Sequence, residues 1–386
     1  IKEISNNFYR NIYVIIFRYL VAGKNLKAGE TVLSDHPFIL GPNSDSSLVC
    51  FQCYQPLINK FVMCKNCGVA PVCPDTGCPE QRPSESFYFK FVCPIEKNFR
   101  ICIISFFLLL KQLQALSIKM FQFIESLGLL EGVEDKDLVQ RICAAIDVNS
   151  FEVRGPTVPA VGCSEVLRGV YLKAAMLPHD CVANIHVSIN DNNLLIFHAS
   201  TDIQKGDIIY YNYTDPLKGT ALRQRHLKIG KYFTCTCRRC VDPTELGTYM
   251  SSALCPICKT GYMSQSPDNL EGKWTCNSCK EEKDNGEIGH KVQCCSDKYG
   301  DEKELEEYIK NVSLVLAPNH YLLIDAKQRL AGLLRDIINR DPHPTKKVMR
   351  RKIELCREIL PVLEKLSPGI CRTKGKKTIC LHRLSN

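Results

Sequence analysis

The amino-acid sequence predicts a zinc-rich α+β fold: a β-rich centre, cysteine modules around it and an α-helical C-terminal domain. Three observations carry this expectation. Cysteines cluster in close pairs, short β-type runs alternate with turns between Phe151 and Tyr213, and apolar residues recur at helical spacing from residue 319 onward.

The cysteines bear on both compartment and chemistry. There are 23, an odd number, and eleven of them fall in the close groups Cys50/Cys53, Cys64/Cys67, Cys235/Cys237/Cys240, Cys255/Cys258 and Cys276/Cys279. Such pairs make poor disulfide frameworks but suit thiolates that converge on one ion in a reducing compartment. Lys2 and Glu3 are not followed by the apolar core of a secretory signal, so a cytoplasmic or nuclear protein is expected. The most apolar segment, Ile101 to Leu110, spans ten residues. A membrane helix needs about 20, so a buried helix is expected there and no membrane role. The net charge of +9 is spread along the chain. No cysteine module carries a recognition helix with clustered Arg and Lys, which argues against direct nucleic-acid binding. With 386 residues the chain has room for two or three domains, and a monomer is expected.

In chain order, Leu20-Val21-Ala22, the Lys27-Ala28-Gly29-Glu30 turn and Thr31-Val32-Leu33 read as strand, turn, strand. A cysteine-rich module comes next, from Cys50 to Cys93. Residues 101 to 145 have a mostly helical pattern, with Leu127, Leu129, Leu130, Leu138 and Ile142 as expected core positions. The clearest strands beyond are Ile185-His186-Val187, Leu194-Leu195-Ile196-Phe197 and Ile208-Ile209-Tyr210-Tyr211. A charged stretch from Glu281 to Glu307 reads as a boundary. Helices are expected over 302–314, 319–339 and 345–366. The second places Leu322, Leu323, Ala326, Leu330, Leu333, Leu334 and Ile337 at helical spacing. Pro344-Thr345 and Ser367-Pro368-Gly369 punctuate the third.

Zinc takes four soft ligands in a tetrahedron. Interleaving the pairs of the first module gives one complete set, Cys50, Cys53, Cys73 and Cys78, and an incomplete one, Cys64, Cys67 and Cys93. Cys255-Pro-Ile-Cys258 and Cys276-Asn-Ser-Cys279 form a zinc-ribbon pattern, with Trp274 beside it to cap a small fold. Cys235, Cys237 and Cys240 lack a fourth ligand nearby, and Cys181, two residues after His179, is the remote donor the sequence offers. Three zinc sites are therefore expected, and a fourth wants one more ligand.

Leu177-Pro178-His179-Asp180-Cys181-Val182-Ala183-Asn184 and Lys205-Gly206-Asp207-Ile208-Ile209-Tyr210-Tyr211-Asn212-Tyr213 resemble the two C-terminal motifs of SET methyltransferases. The Cys235/Cys237/Cys240 triplet resembles their post-SET segment, Asp147-Val148-Asn149-Ser150-Phe151 their central Asn-Ser-Phe element, and residues 20–30 their first strands. The cysteine order from Cys50 to Cys93 resembles a MYND zinc finger. In that finger a His and a Cys four residues apart close the second site; here Phe89 stands at the His position. Finger, SET motifs and C-terminal helices together resemble the SET-and-MYND family. The ribbon pairs and Pro368-Gly369-x-Cys371-Arg372 are similar to its arthropod branch.

The resemblance implies a β-rich SET fold with an inserted finger. Residues 1–46 would be the N-terminal part of the SET domain, 47–93 the MYND finger and 94–150 a helical insert. Residues 151–230 would be the core SET domain, 231–245 the post-SET segment, 246–290 the ribbon-like module and 296–386 the helical domain. It implies S-adenosylmethionine as cofactor and a protein lysine, histone or other, as substrate. It makes Tyr213 the catalytic residue, with Tyr211 lining the lysine channel; the other reading has both as ordinary strand residues. Arg18, Asn149, His179, Asn184 and Phe233 fall on the cofactor side, Phe233 where the family stacks a ring on adenine, although a core phenylalanine fits as well. Cys181 would share the post-SET zinc. Three places depart from the family pattern: Pro178 replaces an Asn, Ala183 replaces a Pro, and Phe17-Arg18-Tyr19 replaces a glycine-rich loop. Residues 1–17 and 84–110 match nothing in it. Two functions are consistent with these residues: a lysine methyltransferase that could regulate transcription, or a catalytically weak zinc scaffold binding partner proteins through its finger and C-terminal helices.

Overall fold

The computed structural model describes residues 2–6, 17–42, 48–50, 54–57, 61–63, 71–74, 136–154, 166–295, 300–372 and 374–375. The first strands are β1 (Lys2–Asn6), β2 (Phe17–Val21), β3 (Thr31–Asp35) and β4 (Ile39–Pro42). Two short pieces, β5 (Val62–Met63) and β6 (Pro71–Val72), belong to the first cysteine module. Helix α1 (Lys136–Asn149) runs directly into β7 (Ser150–Arg154), and β8 (Val166–Val170), β9 (Ile185–Ile189) and β10 (Leu195–Ala199) complete the centre.

These strands make small antiparallel sheets rather than one large one: β4-β8-β7, β3-β10-β9 and the β1-β2 pair. Period-2 burial fixes each face. In β10, Leu195, Phe197 and Ala199 are buried while Ile196 and His198 between them are half-exposed. The inward residues meet Leu20, Leu26, Leu40, Leu167, Leu177, Ile203 and Ile209 in one core. Gly29 closes the predicted turn at φ +92°, a left-handed conformation that glycine adopts without strain.

The expected strand at Ile208–Tyr211 is realised differently. It makes single bridges, Ile208 with Val21 and Tyr211 with His179, instead of a ladder. The reason is Asn184. Its Nδ2 donates to the Ile208 carbonyl at 2.9 Å, and its Oδ1 accepts the Tyr210 N–H at 2.8 Å. A side-chain amide thus occupies the place of a neighbouring backbone. It ties the two SET-like motifs to each other.

Helix α2 (Thr220–Gly230) leads into the segment that carries Cys235, Cys237 and Cys240. Beyond it lies a four-stranded ribbon: β11 (Ala253–Leu254), β12 (Tyr262–Ser266), β13 (Asn269–Cys276) and β14 (Glu282–Lys283). The charged stretch expected to be a boundary contains helix α3 (Asn285–Cys294). Its pattern is thin, since only Ile288 is fully buried and Val292 packs one turn on. Then come α4 (Glu302–Val312), α5 (Tyr321–Arg340) and α6 (Lys346–Leu366), where the spacing predicts them. Asp301 and Glu304 form a capping box on α4, and Thr345 caps α6 by accepting the Val348 N–H. In α6, Leu355, Cys356, Ile359, Val362, Leu363 and Leu366 form the buried stripe.

Trp274 is buried among the ribbon and the helices, and its Nε1 donates to Asn285 Oδ1 at 3.0 Å. The tryptophan expected to cap the ribbon therefore also joins it to α3. After α6 the chain returns to the core formed by β2 to β10. Gly369 lies at φ +72°, where an added Cβ would meet the Ser200 carbonyl oxygen at 1.8 Å, and Ile370 N–H donates to that carbonyl at 2.7 Å. Of the expected helical positions over 101–145, Ile142 is half-buried in α1. Leu127, Leu129 and Leu130 lie outside the described residues, as does the side chain of Leu138. Among the described residues no helix is long and apolar enough to cross a membrane.

Candidate functional site

Two groups of four cysteines converge among the described residues: Cys181, Cys235, Cys237 and Cys240, and Cys255, Cys258, Cys276 and Cys279. In each, the four sulfurs lie within 4.8 Å of one another. A tetrahedral zinc with bonds of about 2.3 Å sets sulfurs about 3.8 Å apart along its edges. The separations are 3.6 Å for Cys181–Cys240, 3.7 Å for Cys255–Cys279 and 3.8 Å for Cys258–Cys276. Both sets fit zinc by ligand type, number and spacing.

The first group joins a loop between β8 and β9 to the segment after α2. Cys181, Cys235 and Cys240 are buried with Leu227, and Tyr213 and Phe233 pack against them. In the second group the backbone holds the sulfurs. Gly261 N–H donates to Cys258 Sγ at 3.3 Å and Ser278 N–H to Cys276 Sγ at 3.4 Å. Lys259 and Lys280, each just after the second cysteine of its pair, take positive φ to close these knuckles. Of the MYND-type sets, Cys50 is buried and accepts the Cys73 N–H at 3.3 Å, which brings those two together. Cys53, Cys78, Cys64, Cys67 and Cys93 lie outside the described residues.

Beside the first group stand the tyrosines. Tyr213 packs against His179, with ring centroids 5.1 Å apart, and against Tyr211, at 6.1 Å. Its hydroxyl donates to the Leu177 carbonyl. Tyr211 packs between Phe151 and Phe197. Burial pushes both phenol pKa values up, so both hydroxyls stay protonated.

His179 is fixed at both nitrogens. Nδ1 accepts the Tyr213 N–H at 3.0 Å, and Nε2 lies 3.3 Å from Cys181 Sγ, to which it donates as the other tautomer is excluded. Burial pulls its pKa down to about 4, which keeps the ring neutral as that network requires. Phe233 lies 5.9 Å from the His179 ring. Asn149, at the end of α1, donates through Nδ2 to the Ala145 carbonyl, and its Oδ1 has no partner among the described residues. Neighbouring Ser150 has a buried hydroxyl without a partner. Arg18 lies in β2 opposite Ser5.

The sequence reading missed four residues that shape this region. Lys231, just past α2, donates to the Val148 carbonyl beside Asn149, and its Nζ lies 5.8 Å from the Tyr213 ring centroid. Burial lowers its pKa. Arg223, Arg239 and Glu245 are buried together next to the first cysteine group. Burial alone would raise the Glu245 pKa, but Arg239 and Arg223 outweigh it and hold it below the usual range. Local sequence carries little signal for these; Arg239 within the cysteine triplet is the nearest to one.

Residues 18–214, half of the chain, match the SET domain family. The chain belongs to the SET-domain family, and with it to the class of protein-lysine methyltransferases. Within that class its likeness is of the SET-and-MYND type. It is 23% identical to the SET domain-containing protein SmydA-8, isoform A, of Drosophila melanogaster, over 92% of this chain and 84% of that protein. A SET and MYND domain-containing protein of Dictyostelium discoideum is 31% identical over 27% of this chain and 30% of its own. Human N-lysine methyltransferase SMYD2 is 25% identical over 28% and 24%.

Proposed function

We propose that this protein transfers a methyl group from S-adenosylmethionine to the side-chain amine of a lysine in a protein substrate. The observation that carries the reading is Tyr213. Its ring is wedged between His179 and Tyr211, and its hydroxyl is held by the Leu177 carbonyl at the junction of the two motifs.

S-adenosylmethionine, when bound, supplies a methyl group on a sulfonium. The unpartnered Asn149 Oδ1 and Ser150 hydroxyl, with the Phe233 ring, are chemistry suited to hold it. His179 and Asn184 commit their side-chain polar atoms within the protein, so their part is to shape the pocket and offer backbone. Lys231 brings a positive charge to the same wall, and the family resemblance puts Arg18 on the cofactor side. The channel side is apolar: Tyr211 and Tyr213 exclude water and favour the uncharged amine. With its proton directed at Leu177, the Tyr213 hydroxyl keeps lone pairs to accept an N–H of the amine and orient its nitrogen. The amine would take the methyl group as the methyl–sulfur bond breaks and its electron pair stays on sulfur, and the methylammonium so formed would release its surplus proton to solvent.

The substrate is a histone or another protein with an accessible lysine, met in the cytoplasm or nucleus. The MYND-type module and the C-terminal helices are the surfaces for partner proteins, and the role is transcriptional if the substrate is chromatin. A second reading, a zinc scaffold without transfer, is favoured by Pro178 where the motif has Asn, which removes a side-chain amide and a backbone donor. Calorimetric titration with S-adenosylmethionine separates the two. Saturable one-to-one binding, then label transfer to a protein lysine, supports the enzyme; absence of binding by zinc-replete protein refutes it.

A further inference from the structure

Arg223 has its whole side chain inside the protein and all five guanidinium N–H groups engaged. Nε donates to Cys181 Sγ at 3.3 Å. One terminal nitrogen donates to Cys240 Sγ at 3.5 Å and to Thr220 Oγ1 at 3.0 Å. The other donates to the Lys218 carbonyl at 2.6 Å and to Glu245 at 2.8 Å. Arg239 takes the same Glu245 oxygen, at 2.7 Å. Burying a charge is costly unless its partners balance it. Here two buried guanidiniums share one carboxylate, which leaves an unbalanced positive charge among protein groups alone.

A divalent zinc on four thiolates carries a net charge of about −2. We propose that Arg223 is the charge partner of that zinc-tetrathiolate: it neutralises part of the anionic cluster from outside the coordination sphere and thereby locks the metal in. Arg223 is a positioning residue on this account. Its two N–H···S bonds draw electron density from Cys181 and Cys240, and the cluster in turn supplies the negative charge that the Arg223–Glu245–Arg239 group lacks. Zinc and guanidinium stabilise each other, across the junction between the SET core and the segment after α2. The ribbon cluster has no such partner among the described residues, since its sulfurs take backbone N–H groups. The inference rests on zinc occupying the first cluster and not on methyl transfer.

The test is zinc release from the full chain under excess EDTA, monitored with a chromogenic zinc indicator. A Cys279→Ser background, which opens the ribbon site, assigns the kinetic phases. Arg223→Met should speed release from the first cluster about tenfold to a hundredfold, with the ribbon phase unchanged, as for loss of an outer-sphere partner. In the cobalt-substituted protein the sulfur-to-cobalt charge-transfer band of the first cluster should move to lower energy, and Arg223→Lys should recover only part of either change. Unchanged release, or equal acceleration at both clusters, overturns the proposal. Should the Arg223 variants not fold, Thr220→Val unseats the fork while leaving guanidinium and sulfurs in place. It should speed first-cluster release about threefold, the low end of what one hydrogen bond contributes; no change there is equally decisive against it.

Discussion

The two four-cysteine clusters use the same ligands and do different work. The ribbon cluster is local: its cysteines span residues 255 to 279, its knuckles are closed by backbone, and Cys279 is exposed. The first cluster is long-range and buried, drawing Cys181 from the SET core to meet three cysteines that begin more than fifty residues later. A metal in the ribbon organises one small hairpin stack. A metal in the first cluster closes a long loop, ties the segment after α2 against His179 and Tyr213, and holds Phe233 there. Identical coordination chemistry thus fastens a local hairpin stack in one place and joins distant segments beside Tyr213 in the other.

That contrast is open to attack by substitution. The largest effect expected is from Cys181→Ser, which exchanges a thiolate for a poor zinc ligand. Elemental analysis should show one zinc lost, limited proteolysis should open the region after Tyr213, and S-adenosylmethionine binding should vanish in calorimetry. Full zinc content in this variant would show that the cluster closes without Cys181. Next is Tyr213→Phe, expected to slow methyl transfer about a hundredfold, the effect of losing one preorganised polar group, with zinc content and melting temperature retained. Parent-like transfer would remove Tyr213 from the chemistry.

Cys279→Ser should also lose one zinc, yet with a milder outcome. Hydrogen exchange should accelerate in β12 and β13, while cofactor affinity stays within about 0.5 kcal/mol of the parent, as for distant independent sites. If cofactor binding collapses here as well, the two clusters are one unit and the contrast fails. The smallest effect is a control on stability alone. Thr345→Ala removes the cap of α6 and should lower unfolding free energy by about 1 kcal/mol in denaturant titration, leaving zinc release from both clusters unchanged.

The ribbon was legible in the sequence because its ligands, its knuckles and its tryptophan all fall within 25 residues of one another, so spacing alone carried the geometry. Helices α4 to α6 were legible for a similar reason, their apolar stripes being long and periodic. Cys181 could be paired with the downstream triplet only through the motif around it, since no local pattern links residues so far apart. Helix α3 escaped notice because it buries only Ile288 completely and carries glycines and charges elsewhere. The strand expected at Ile208–Tyr211 has the right composition, but Asn184 completes its bonding from the side, which alternation of apolar residues cannot foretell. Arg223, Arg239 and Glu245 were the least legible of all. Charged residues are ordinarily at the surface, and only the fold shows that these three face one another in its interior.

The return of the chain at Gly369 has a mechanical consequence. The ribbon and C-terminal helices leave the SET core through the segment that carries Cys235 to Glu245, and they come back to it at the Ser200 carbonyl. A body attached at two separated points has lost the rotational freedom that a single linker leaves. The helices can turn about the line joining those two points, but a wider swing has to break the Ile370–Ser200 hydrogen bond. Detaching Gly369 from Ser200 would be the way to give that motion back.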